Sequence, residues 1–197
     1  MIAAAVARGV KVVLQTAFGV DADDNIPYRQ VELALIRSGT PHVILRPNWF
    51  ADNFHTFWKP GIDHGRIALP AGDGKTSFID TRDVAASAAA ALTSDRFDGG
   101  AFVLTGPAAL SYAEAAAILS PVVGRPVAYE PIDDETFVGI LTGAGVPEVY
   151  ARFLAMIFHT VREGWNAAVT DAVETLTGKP PRSLETYARD NTARLKA

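Results

Sequence analysis

The chain opens on an alanine-rich segment, residues 2–8, closed by Gly9, and passes at once into VKVVLQT at 10–16, a nearly continuous β-branched run. Alanine is the strongest helix former and glycine readily ends a helix, whereas so short an apolar run reads as a strand buried on both faces. A polar loop, FGVDADDNI, follows. Pro27 then stands where a helix can begin, and Val31, Leu33, Ala34, Leu35 and Ile36 supply its expected buried side until Ser38 and Gly39 end it. The strand HVILRP comes next, at 42–47. Helix then strand, joined by short loops, predicts an α/β protein with parallel strands and crossover helices.

Beyond 47 the pattern changes to a polar-aromatic loop and a short helix ending near Lys59, followed by RIALPAGDGKTSFID. Gly72-Asp73-Gly74 is a turn signal between two extended runs, which predicts a hairpin-like insertion. Thr81-Arg82-Asp83 opens the helix VAASAAAALT, with Asp83 near its positive end and Arg82 as the expected ion-pair neighbour. AFVLTG at 101–106 is another strand. Ser111 and Glu114 have the spacing of a capping box at the head of YAEAAAILSPVV. From there the chain reads as mainly helical, with a strand at VAYEPI and helices near 134–143, 147–163, 167–177 and 183–195.

Composition narrows the classes. At 197 residues and 21.0 kDa, with 49% apolar and 20% charged residues, the chain suits one ordinary domain with a small helical part and does not suit disorder. A net charge of -4 gives no general footprint for nucleic acid, which is bound through Lys and Arg on phosphates. There is no cysteine, so thiolate nucleophiles, thiolate metal ligands and disulfides are all excluded. Arg8 and Lys11 interrupt the apolar opening that would otherwise resemble a secretory signal, and no run reaches the roughly 20 apolar residues a membrane span needs. A cytoplasmic protein with no membrane partner is the expectation. His42, His55, His64 and His159 lack metal-ligand spacing, and Asp23-Asp24 between Asp21 and Asn25 reads as a solvated loop.

Five segments in order, YRQVELALIRSG, ILRPNWFADNF, FIDTRDVA, FVLTGPAALSYAEAA and VVGRPVAYEPI, resemble the NmrA-like, atypical short-chain dehydrogenase/reductase family, which includes NAD(P)H:quinone oxidoreductase-like members. The resemblance covers nearly the whole chain. It implies a partial Rossmann-like parallel sheet over 1–110, the C-terminal half of an NAD(P)-binding domain, and a helical substrate-side region over 111–197. The implied cofactor is NADP or NAD, and the implied activity is reduction of a quinone or small carbonyl.

Open α/β sheets bind ligands at the carboxyl ends of their strands. The resemblance therefore assigns Thr16, Ala17, Pro47 and Asn48 to the cofactor, with Thr16 either a ligand contact or merely the end of a strand. Trp49, Phe50 and Asn53 are assigned to the substrate pocket, the aromatics being suited to wall a flat ring. Phe50 and Phe54 read better as core, Asn48 and Trp49 as the cleft. Tyr28 is the candidate proton donor, but the usual reductase dyad is Tyr-x-x-x-Lys, and here Glu32 stands in place of the lysine, where a carboxylate would raise the phenol's pKa.

A dinucleotide site also needs a glycine-rich turn against the pyrophosphate. None precedes these strands, and Gly139, Gly143 and Gly145 belong to a helix-ending loop. A shortened reductase and a natural short form are both consistent with this, as are a non-catalytic sensor and a form that has lost dinucleotide binding. The sheet would then expose an apolar edge, for which a homodimer is the expected cover.

Overall fold

The computed structural model describes residues 2–196. In chain order its first elements are α1 (Ile2–Arg8), β1 (Val12–Gln15), α2 (Pro27–Arg37), β2 (His42–Pro47), α3 (Lys59–Asp63), β3 (Arg66–Leu69) and β4 (Lys75–Thr76). They are followed by α4 (Thr81–Leu92), β5 (Ala101–Leu104), β6 (Leu110–Ser111), α5 (Tyr112–Val123), β7 (Ala128–Pro131), α6 (Asp134–Gly143) and α7 (Glu148–Arg162). Three short helices close the chain: α8 (Ala172–Thr177), α9 (Leu184–Asp190) and α10 (Thr192–Lys196). No helix among the described residues is long and apolar enough to cross a membrane.

The elements form two compact units. The first extends to Phe50, resumes over Ile79–Pro107 and ends with Thr170–Arg182; the second comprises Ala51–Phe78, Ala108–Val169 and the chain from Ser183. A single cut near residue 110 does not reproduce these boundaries. Residues 170–182 return to the sheet of the first unit, where Thr170 Oγ1 donates to Val103 O at 2.6 Å and its N–H donates to Thr105 Oγ1 at 3.0 Å.

In the first unit the sheet order is β1-β2-β5 and every pairing is parallel. β2 is central and all six of its residues are buried. β1 is half-buried with Gln15 exposed, so the strand expected to be buried on both faces is β2 and not β1. The reason is position: β1 has a neighbour on one side only among the described residues, and Val10 just before it is 47% exposed. The core gathers Val43, Leu45, Ile79, Val84, Leu104 and Val173.

The packing of α2 and the ion pairs at the head of α4 differ from the sequence expectation. The buried residues of α2 are Glu32 and Leu35, while Val31 and Ile36 are exposed, so its apolar residues do not form one packed face. Arg82 pairs with Asp80, the N-cap of α4, at 2.6 Å. Asp83 instead pairs with Arg182, whose backbone N–H also donates to Asp83 Oδ2 at 2.7 Å.

The second unit holds β3 paired parallel with β7 and β4 paired antiparallel with β6. The two extended runs around Gly72-Asp73-Gly74 are therefore not a hairpin; each finds a partner far along the chain. Its core is aromatic: Phe54, Phe78, Tyr112 and Phe158 are buried, with edge-to-face contacts of 5.1 Å between Phe54 and Phe78 and 5.4 Å between Phe78 and Tyr112. Burial pushes the Tyr112 phenol far above its ordinary range, which fits packing and not proton transfer. Ser111 and Glu114 form the expected capping box at the head of α5. The helix expected over 167–177 starts at Ala172, after a 3-10 turn at Trp165–Ala167, and that over 183–195 is two helices joined at Asn191.

Candidate functional site

The parallel register brings the ends of β1 and β2 together. Past the last residue of β1, Thr16 N–H donates to Leu45 O at 2.9 Å and Phe18 N–H to Pro47 O at 3.0 Å, so the chain stays tied to β2 through Ala17. Asn48 N–H donates to Leu104 O at 2.9 Å, which ties the exit of β2 to β5 in the same way. Thr16, Ala17, Pro47 and Asn48 thus share the carboxyl edge of one sheet, the place where such sheets take ligands.

Asn48 is buried, and its Oδ1 accepts the Trp49 N–H at 2.9 Å. Trp49 and Phe50 are half-buried; Trp49 O accepts from Ile79 N–H at 2.9 Å, and Phe50 lies against the core of the first unit. Asn53 lies in the second unit, in the 3-10 turn Ala51–His55, where its carbonyl accepts from Trp58 N–H at 2.9 Å. Phe54 is fully buried, as its core reading expects.

Beneath the strand ends lies a network centred on Glu32, whose side chain is wholly buried. Its Oε1 accepts from Thr16 Oγ1 at 2.6 Å and from Arg46 Nε at 3.0 Å, and its Oε2 accepts from Arg46 Nη2 at 2.7 Å and Arg29 Nη1 at 3.0 Å. Arg46 reaches on to Asp21 at 2.5 Å, and Arg29 to Asp24 at 2.9 Å. Burial alone would push the Glu32 carboxyl up; hydrogen bonds from Arg46, Thr16 and Arg29 outweigh it and hold the pKa below the ordinary value.

Glu32 does not act on Tyr28 as the spacing suggested. Its carboxylate turns inward to Thr16 and two arginines, whereas Tyr28 is 59% exposed on the same helix. The sequence did carry a signal for the network. An acid sits among the apolar positions of α2, and an arginine interrupts an otherwise apolar central strand; charges so placed are seldom buried unless paired. Of the histidines, His42 is buried with Nδ1 against Thr40 O at 2.8 Å, and His55 bonds the Tyr187 hydroxyl within the second unit. Burial lowers the pKa of His55. No cluster among the described residues could hold a metal ion.

The model of the NmrA-like family matches residues 1–188. The chain belongs to the NmrA-like family. It is 34% identical to NAD(P)H azoreductase of Xenophilus azovorans, covering 98% of this chain and 69% of that protein. It is 33% identical to prestalk A differentiation protein A of Dictyostelium discoideum, covering 87% of this chain and 57% of the other. The chain thus spans from just over half to about seven-tenths of the length of these curated relatives. In structure it is similar to the NADPH-dependent quinone oxidoreductase QOR2 of Escherichia coli in complex with NADPH, with a TM-score of 0.83 and 26% identity over 96% of this chain and 68% of that one. The Rossmann-like fold expected from the sequence is shown by this similarity.

The NmrA-like residues present suit one end of a dinucleotide better than the other. Thr16, Ala17, Pro47 and Asn48 lie together at the strand ends, the edge where a nicotinamide ring would sit. The phosphate end lacks a counterpart among the described residues: Arg46 and Arg29 are held by Glu32, Asp21 and Asp24, and the loop after β1 is acidic.

Proposed function

We propose that this NmrA-like chain acts in NAD(P)H-dependent reduction and that Thr16, Ala17, Pro47 and Asn48 meet the nicotinamide end of NADP or NAD. The observation that carries the reading is the joining of these residues at the carboxyl edge of one parallel sheet. The bound dinucleotide supplies hydride; the chain's own residues orient the ring and exclude water from one face of it. Trp49 and Phe50, in the same unit as the strand ends, are assigned to a flat substrate, a quinone or small carbonyl.

Titration calorimetry with NADPH, NADP, NADH and NAD tests this directly, and failure of all four to bind would overturn it. Given binding, Asn48→Ala is expected to weaken it about tenfold, as loss of a buried polar partner does. Tyr28→Phe is expected to leave NADPH oxidation with a quinone panel within about twofold of wild type, because the phenol is exposed and a proton donor must lie within hydrogen-bond reach of a bound substrate. A large loss in that variant would restore Tyr28 as the proton donor.

A non-catalytic dinucleotide sensor is the second reading, favoured by the replacement of the Tyr-x-x-x-Lys lysine with a wholly buried Glu32. Binding without turnover across the panel would select it. A homodimer is the proposed cover for the side of β1 that has no neighbouring strand among the described residues, beside which Val10 is exposed. Light scattering is then expected to give twice the 21.0 kDa chain mass, and a value near 21.0 kDa rejects it.

A further inference from the structure

We propose that Glu32 fixes the hydrogen-bonding sense of Thr16, so that Thr16, at the exit of β1, offers a ligand an acceptor only and takes an N–H or O–H donor from it. A carboxylate has about four lone-pair positions and no proton to give. Glu32 receives four donors: the Thr16 hydroxyl at 2.6 Å, Arg46 Nε at 3.0 Å, Arg46 Nη2 at 2.7 Å and Arg29 Nη1 at 3.0 Å. Two guanidinium groups beside a wholly buried carboxylate keep it ionised, so the proton between Glu32 and Thr16 belongs to the hydroxyl.

A threonine hydroxyl has one proton and two lone pairs. With the proton directed to Glu32 Oε1 and the backbone N–H directed to Leu45 O at 2.9 Å, both donors of Thr16 point into the protein. What Thr16 can still do at the strand end is accept. On the nicotinamide assignment proposed above, on which the identity of the ligand rests, the matching donor is the carboxamide NH2 and not its carbonyl. Glu32 touches no ligand in this scheme and is a positioning residue; Thr16 is the contact.

Two measurements separate this inference from the cofactor reading. The first is a carbon-13 NMR titration of the Glu32 carboxyl in wild type, Thr16→Val and Thr16→Ser. Loss of a donated hydrogen bond destabilises the carboxylate, so Thr16→Val is expected to move the midpoint upward and Thr16→Ser to return it toward wild type. An unmoved midpoint in Thr16→Val overturns the proposed sense of the bond, whatever the chain binds.

The second compares NADPH with its 3-acetylpyridine analogue, in which a methyl group replaces the carboxamide NH2, by calorimetry on the same proteins. Wild type and Thr16→Ser are expected to bind NADPH about tenfold more tightly than the analogue, and Thr16→Val to bind both at the analogue's affinity. Equal binding by wild type overturns the donor assignment. If the Glu32 midpoint moves but neither dinucleotide binds, the hydrogen-bond sense stands and the cofactor reading falls. Thermal melts of the variants keep a folding defect from being mistaken for either result.

Discussion

Glu32→Ala is expected to lower the unfolding free energy by about 3–5 kcal/mol, the usual cost of removing one partner from a buried ion pair. Burial of Glu32 is complete and the Arg46 side chain is only 9% exposed, so water cannot replace the lost carboxylate cheaply. Asp21, 45% exposed, would remain beside Arg46 and would compensate little. Urea unfolding measures the loss, and a change below about 1 kcal/mol would show that the network is no stronger than a surface pair. Replacing the pair together, Glu32→Leu with Arg46→Met, is expected to recover most of the loss because neither buried charge is left alone, while Arg29 keeps Asp24 and Asp21 is 45% exposed to water. The pH dependence has a defined sign. The folded pKa of Glu32 lies below its unfolded value, so its contribution is fully present above the unfolded value of about 4.3 and is lost as pH falls through the folded one. Glu32→Ala should therefore show a flatter decline in stability through that acid window than wild type.

That network shows where sequence reading reaches its end. The elements and the parallel sense of the sheet follow from local signals: β-branched runs, Pro27 at a helix start, and Ser111 with Glu114 at a cap. Once those place β1 and β2 side by side, the carboxyl ends carrying Thr16 and Asn48 are placed with them, which is why the edge was legible. Side-chain partnership is another matter. Glu32 meets Arg46 fourteen residues on, and Asp83 meets Arg182 ninety-nine residues on, although Arg82 lies next to it. Periodicity on α2 likewise marks Val31 and Ile36 as apolar without saying whether anything packs over them, and both are exposed. The same limit applies to β1: five apolar or β-branched residues among the seven at 10–16 announce a strand, but burial depends on how many neighbours the sheet supplies.

Gly74→Ala is the second large effect, and its cause differs from that of the turn in which the glycine was noticed. Gly72 has φ of 53°, so an alanine there meets the left-handed penalty of about 1–2 kcal/mol while its Cβ has room, 3.7 Å from Arg162 Cγ. Gly74 has no such backbone requirement. A Cβ on it would stand 2.2 Å from Val161 O, 2.7 Å from Val161 C and 2.9 Å from Val161 Cγ1, because α7 passes directly against this segment. The carbonyl is fixed by its place in the helix and accepts from Gly164 N–H at 2.9 Å, so it cannot rotate away like a side-chain end. Either the segment leading into β4 or the last turn of α7 must move. The expected cost is about 3 kcal/mol or more, at or beyond the upper end of ordinary overpacking. Thermal or urea unfolding of Gly72→Ala and Gly74→Ala, compared with each other, should rank Gly74 as the more damaging. The double variant Gly74→Ala, Val161→Ala removes only the Cγ1 contact and leaves the carbonyl in place, so it should recover little. Full recovery would mean that the valine side chain, and not the backbone of α7, sets the approach.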